Sequence, residues 1–102
     1  INMGGQIYTE DDSQQYYQFL ENGKCYDILE DNGLYSVDVV NWSLNGNTLT
    51  IDGEKSTVQS FDSNHLVIYV EGTEGGVSYT GTESFKREFV LPPDVLKEIS
   101  KQ

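Results

Sequence analysis

The chain is 102 residues long with a formal net charge of −11, which allows one small core and is the wrong sign for nucleic acid or an anionic membrane surface. Lys24 is the sole basic residue before Lys55. The acid excess reads first as a solubilising surface, and second as a contact for a cationic partner.

Met3 to Thr9 reads as a weak first strand entered through Gly4-Gly5, with an acidic connection from Glu10 to Ser13. Tyr16 to Leu29, YYQFLENGKCYDIL, reads as a hairpin centred on Asn22-Gly23, because Asn-Gly supplies the positive φ angles of a tight turn. A two-residue loop there pairs Glu21 with Lys24, Phe19 with Tyr26 and Tyr17 with Ile28, gathering Tyr17, Phe19, Tyr26 and Ile28 on one face. Glu30 to Gly33 is the next turn. Leu34 to Leu44 is a long strand that changes phase: Tyr35, Val37 and Val39 alternate in one register, and Val40, Trp42 and Leu44 in the other. A β-bulge near Val39-Val40 would reconcile them. The segment WSLNGNTLTI then sets Trp42, Leu44, Leu49 and Ile51 on one face, whether Asn45-Gly46 or Gly46-Asn47 forms the loop.

Asp52 to Lys55 is a further turn. Around Ser63-Asn64 a hairpin pairs Phe61 with Leu66 and sets Val58 against Tyr69. Leu66 to Val70 is the most continuous apolar run and reads as a strand buried on both faces. Gly72 to Gly76 reads as a mobile loop. Val77 to Leu91 carries the last strand, with Tyr79, Phe85 and Phe89 inward and a kink or break at Gly81. Pro92-Pro93 ends the sheet. Asp94 followed by Val95, Leu96 and Ile99 has the spacing of a short amphipathic helix, or begins a linker. These elements describe an all-β chain, an antiparallel up-and-down meander of about eight strands that forms a barrel or a strongly coiled sheet. One domain spans 1–102, with 92–102 as a tail or short helix.

The chemical inventory is thin. His65 is the only histidine and lies in a turn, so neither a His-pair metal site nor a nucleophilic triad has support. Cys25, the only cysteine, forbids an intrachain disulfide and reads as a small apolar filler of its strand. Glu30 to Gly33 lacks the alternating oxygens and closing glutamate of a calcium loop, and Gly4-Gly5 and Gly75-Gly76 lack the context of a phosphate loop. Acid pairs such as Asp11-Asp12 and Glu30-Asp31 would need a cleft that separates their pKa values. No catalytic residue, metal or cofactor is assigned, and no apolar run approaches the roughly 20 residues of a membrane-spanning helix. Aromatic side chains remain. They fill a core, line a cavity or form a contact face. Tyr17, Phe19, Tyr26, Trp42 and Tyr69 are the candidate ligand-binding residues.

The order FLENGKCYDI, WSLNGNTLTID, STVQSFDSNHLVIYV and SFKREFV resembles the small lipocalin-like domains of exported proteins from gut anaerobic bacteria. The correspondence runs through Phe19 and Gly23, Trp42 and Leu44, Leu49 to Ile51, and Leu66 to Ile68. Such domains usually open with a Gly-x-Trp strand that this chain lacks, so that strand is either trimmed or replaced by Gly4 to Tyr8. The resemblance implies a small lipocalin-like barrel in a periplasmic or cell-surface protein, with any lipid anchor in a missing leader. It implies a non-enzymatic domain that binds a small apolar or aromatic ligand or, alternatively, an interaction module that holds another exported protein.

Overall fold

The structure, a computed structural model, describes residues 3–10 and 15–102. Of the expected acidic connection, Glu10 is the last residue of the first strand, and the rest, with the Asp11-Asp12 pair, lies outside the described residues. Eight antiparallel strands follow one another around a closed barrel: β1 (Ile7–Glu10), β2 (Tyr16–Phe19), β3 (Lys24–Asp31), β4 (Leu34–Asn45), β5 (Thr48–Ile51), β6 (Glu54–Phe61), β7 (His65–Glu74) and β8 (Val77–Glu88). A short helix, α1 (Pro93–Ile99), follows. Closure is made by β1, which pairs with β2 on one side and β8 on the other, Tyr8 standing opposite Tyr17 and Arg87. Ile7 to Glu10 thus supplies the first strand.

Four of the turns explain why a short chain can close so tightly. Asn32-Gly33, Asp52-Gly53 and Gly75-Gly76 each hold two consecutive positive φ angles, the type I′ geometry whose twist matches that of the flanking strands. The Asn22-Gly23 turn differs. Leu20 N–H donates to the Lys24 carbonyl, Gly23 N–H to the Leu20 carbonyl, and only Gly23 of the pair has positive φ. This is a three-residue loop with a glycine bulge. The extra residue moves the register by one, so Phe19 faces Cys25, Tyr17 faces Asp27 and Tyr16 faces Ile28. The expected face of Tyr17, Phe19, Tyr26 and Ile28 is therefore split: the first two point inward, the last two outward.

The phase change in β4 has another cause than the expected bulge. Pairing of β4 with β3 runs unbroken from Leu34 to Asn41, and with β5 from Trp42 to Asn45. What changes is which face is covered. Tyr35 and Val37 point outward beneath α1, together with Ile7, Tyr16, Tyr26, Ile28 and the helix residues Val95 and Ile99. Past the helix, burial passes to the inner face and to Val40, Trp42 and Leu44. A register shift occurs instead between Val58 and Ser60 of β6. That bulge sets Val58 against Ile68 and Tyr69 against Thr57, correcting the expected Val58–Tyr69 pair.

Trp42, Leu44, Leu49 and Ile51 share the expected face, and Phe61 pairs with Leu66 as expected. Leu66 and Ile68 are buried, while Val67 and Tyr69 on the other face are only half-buried. The expected Gly72 to Gly76 loop shrinks to the Gly75-Gly76 turn: β7 and β8 pair without interruption from His65–Lys86 to Glu74–Val77, straight through Gly81. Phe85 points into the core, but Phe89 lies beyond β8, 71 % exposed, with the Arg87 guanidinium 4.9 Å from its ring centre. The tail does form a helix. Asp94 sits in its first turn and Lys97 in its last, each favourable to the helix dipole, and Val95 is fully buried.

Candidate functional site

The two ends of the barrel differ. At one end the interior is filled by Met3, Tyr8, Phe19, Leu49, Leu66 and Phe85, all buried. Phe19 is the hub, with ring centres at 5.0 Å from Trp42, 6.0 Å from Tyr8 and 6.1 Å from Tyr17. Trp42 is pinned there by its indole N–H, which donates to the Leu20 carbonyl at 2.8 Å. The unfilled space among these side chains is about 30 Å³, room for a water or two and no organic ligand.

Toward the other end the side chains thin out and the barrel opens into a cup of about 500 Å³. Its apolar lining is Tyr17, Ile51, Ile68 and Val70; its walls carry Asp27, Asp52, Glu54, Glu71 and Glu83, with Lys55 as the only basic lining residue. Tyr79 adds an aromatic wall. It stands opposite Gly72 on the β7–β8 hairpin, and a Cβ on Gly72 would come within 2.5 Å of its hydroxyl. Gly72 therefore lets the Tyr79 ring lie across the hairpin, leaving it 50 % exposed at the mouth.

Gln15 organises one side of the cup. Its side-chain N–H group donates to the Tyr17 hydroxyl at 2.9 Å and to Asp27 Oδ1 at 3.0 Å, holding the ring and the carboxylate side by side. Burial pushes the Tyr17 hydroxyl pKa upward, with Asp27 and other acids adding to the shift. Burial likewise raises Asp27, against the Gln15 hydrogen bond and with help from Asp38 and Asp52, and raises Glu83, with help from Glu10 and Glu54. Neither carboxylate has an ion-pair partner among the described residues.

A carboxyl whose pKa is raised on folding binds its proton more tightly in the folded chain. Stability is then lost as pH rises from the unfolded-state pKa through the folded-state pKa, and the strain is absent below that window. Glu83→Gln should therefore melt above wild type at neutral pH, with the difference shrinking as acid is added. Coincident melting profiles at neutral pH would contradict this reading of Glu83.

Of the sequence-derived candidates, Tyr17 borders the cup, whereas Phe19 and Trp42 belong to the filled interior. Tyr26 lies on the outer face near α1, and Tyr69 on the outer face between Thr57 and Thr82. Sequence reasoning missed Asp27, Glu83 and Val70. The signal was present, since Asp27 lies two residues from Cys25 and Glu83 two from Phe85, but acids at inward positions break the expected binary pattern.

Cys25 is fully buried, and burial, with Asp27 adding to it, pushes its thiol up to about 12. We expect a thiol reagent to label it only on global unfolding. Labelling of the folded protein at the rate of a free thiol would show that the wall of the barrel opens locally. His65 opens β7 just past the expected turn, opposite Lys86, its side chain 3.6 Å from Asp62 and largely exposed.

Comparison with known protein families, with curated proteins and with solved structures gives no match, so the cup must be read from its own residues.

Proposed function

We propose that this barrel is a non-enzymatic, lipocalin-like binding domain, of the exported kind its motifs resemble, whose ligand is a small molecule with an apolar or aromatic body. The observation that carries this reading is the cup itself: an opening of about 500 Å³ with Tyr17, Ile51, Ile68 and Val70 on its apolar surface. A cavity of that size suits a small organic molecule, with apolar lining for affinity and a few polar groups for orientation. The ligand would sit at the mouth, because the filled interior beneath offers about 30 Å³.

Titration with 1-naphthaleneethanol, followed by calorimetry, tests the reading. Val70→Asn places a polar group on the apolar surface and should weaken binding about tenfold, the effect of roughly 1.4 kcal/mol. Tyr69→Ala, on the outer face, should leave binding unchanged. The reverse pattern would move the site off the mouth.

A second reading, the interaction module, is favoured by Phe89 and Val90, adjacent and 71 % and 79 % exposed. Large apolar side chains left open in sequence are candidates for a contact face. Closure of the barrel leaves that reading a surface patch in place of a free sheet edge.

A further inference from the structure

The cup's lining is lopsided in charge. Asp27, Asp52, Glu54, Glu71 and Glu83 reach it, against Lys55 alone. Two of these acids cannot be dismissed as solvated surface. Asp27 and Glu83 are inward residues of β3 and β8, only partly exposed, so their charges are partly removed from water without a cation to offset the loss. An anionic ligand would meet repulsion on every side. A neutral one would leave the desolvated carboxylates uncompensated.

The aromatic groups point the same way. Tyr79 presents a half-exposed ring at the rim and Tyr17 closes the side next to Asp27. Ring faces carry negative electrostatic potential and attract organic cations. The apolar surface of Ile51, Ile68 and Val70 demands, in addition, a hydrocarbon body. A bare metal ion satisfies none of the apolar surface, and no three metal-ligating side chains among the described residues converge. An extended organic cation can place its charge against one carboxylate and its body against the aliphatic side chains.

We infer that the mouth of the barrel selects a small organic cation, an amine with an apolar or aromatic body, whose charged group is received by the carboxylates of Glu83 and Asp27. This rests on the mouth being the binding site, and it specifies the ligand class. Glu83 and Asp27 are then specificity-determining residues, and Gly72 keeps Tyr79 in place as part of the wall.

Three probes sharing one ring system test it: 2-(1-naphthyl)ethylamine, 1-naphthaleneethanol and 1-naphthaleneacetate, titrated into the whole chain at low salt. The amine should bind about tenfold more tightly than the alcohol, as one partly desolvated charge contact would give, and the acetate more weakly than either. Added salt should narrow the gap between amine and alcohol. Glu83→Gln and Asp27→Asn should each reduce the ratio of amine to alcohol affinity, lowering amine binding and not alcohol binding, and an unchanged ratio in both would count against the carboxylates as the receiving groups. Both substitutions remove a desolvated charge, so a thermal melt at or above wild type certifies that the variants fold. If amine and alcohol bind equally at the mouth, or the acetate binds best, the charge inference is overturned and the mouth reading stands. If no probe binds there, both fall.

Discussion

Phe19→Ala should be the most destabilising single truncation in this molecule, costing about 3–5 kcal/mol and lowering the melting temperature by on the order of 15–30 °C. Phe19 is 1 % exposed and its ring packs on Tyr8 of β1, Trp42 of β4 and Tyr17 of its own strand. Removing it deletes the group around which those rings pack. The strands β1 and β2 that meet there are only four residues each, so the backbone has little ladder with which to hold its shape and collapse into the hole. A domain of this size has about 5–15 kcal/mol of stability in all, so the variant should stand near the edge of folding. Chemical denaturation followed by Trp42 fluorescence reads the loss directly, because Trp42 is packed on Phe19 and is the only tryptophan. A loss under about 1 kcal/mol would mean that the interior is not packed as described.

Val95→Asp should produce the second largest effect, and of a different kind. Val95, on the barrel-facing side of α1, is 0 % exposed and packs with Ile7, Ile28 and Leu91 on the outside of the barrel. A carboxylate there has no cation to meet, so the helix should release its grip before it buries the charge. The cost is then capped at the apolar contact that α1 makes, about 2–3 kcal/mol for the valine and its close neighbours. Hydrogen exchange should rise in α1 and over Tyr16, Tyr26 and Tyr35, while the Trp42 emission maximum stays put. Leu96→Asp, at a position 53 % exposed, should change stability by no more than about 0.5 kcal/mol. Equal effects of the two substitutions would remove α1 from the account.

The contrast between these variants shows what alternation alone conveys and what it leaves out. The strands, their order and the Trp42–Ile51 hairpin face are readable because period-2 alternation and Gly-containing turns act locally. The register across Asn22-Gly23 is not, since that dipeptide serves both a two-residue turn and a three-residue loop with a glycine bulge, and the choice moves Tyr26 from interior to exterior. The phase change at Val39-Val40 was legible as a signal and misread as a bulge, because its cause is seven helical residues far along the chain that cover one half of β4. Tyr69 takes the outer face by simple alternation from buried Leu66 and Ile68, whereas the bulge between Val58 and Ser60, which no residue type announces, moves Val58 opposite Ile68. The cup was least legible of all. Asp27 and Glu83 become inward residues only once the register is known, and a pattern that rewards apolar inward positions passes over them.

We propose a barrel that is full at one end and receptive at the other. Methyl-detected NMR during titration with 2-(1-naphthyl)ethylamine tests it most directly. Ring-current shifts are expected at the methyls of Ile51, Ile68 and Val70, which line the cup, with those of Leu49 and Val58 nearly still. Shifts centred on Leu49 and Val58 would contradict the filled interior, and shifts confined to Val37 and Val39 on the outer face of β4 would contradict the mouth as the site.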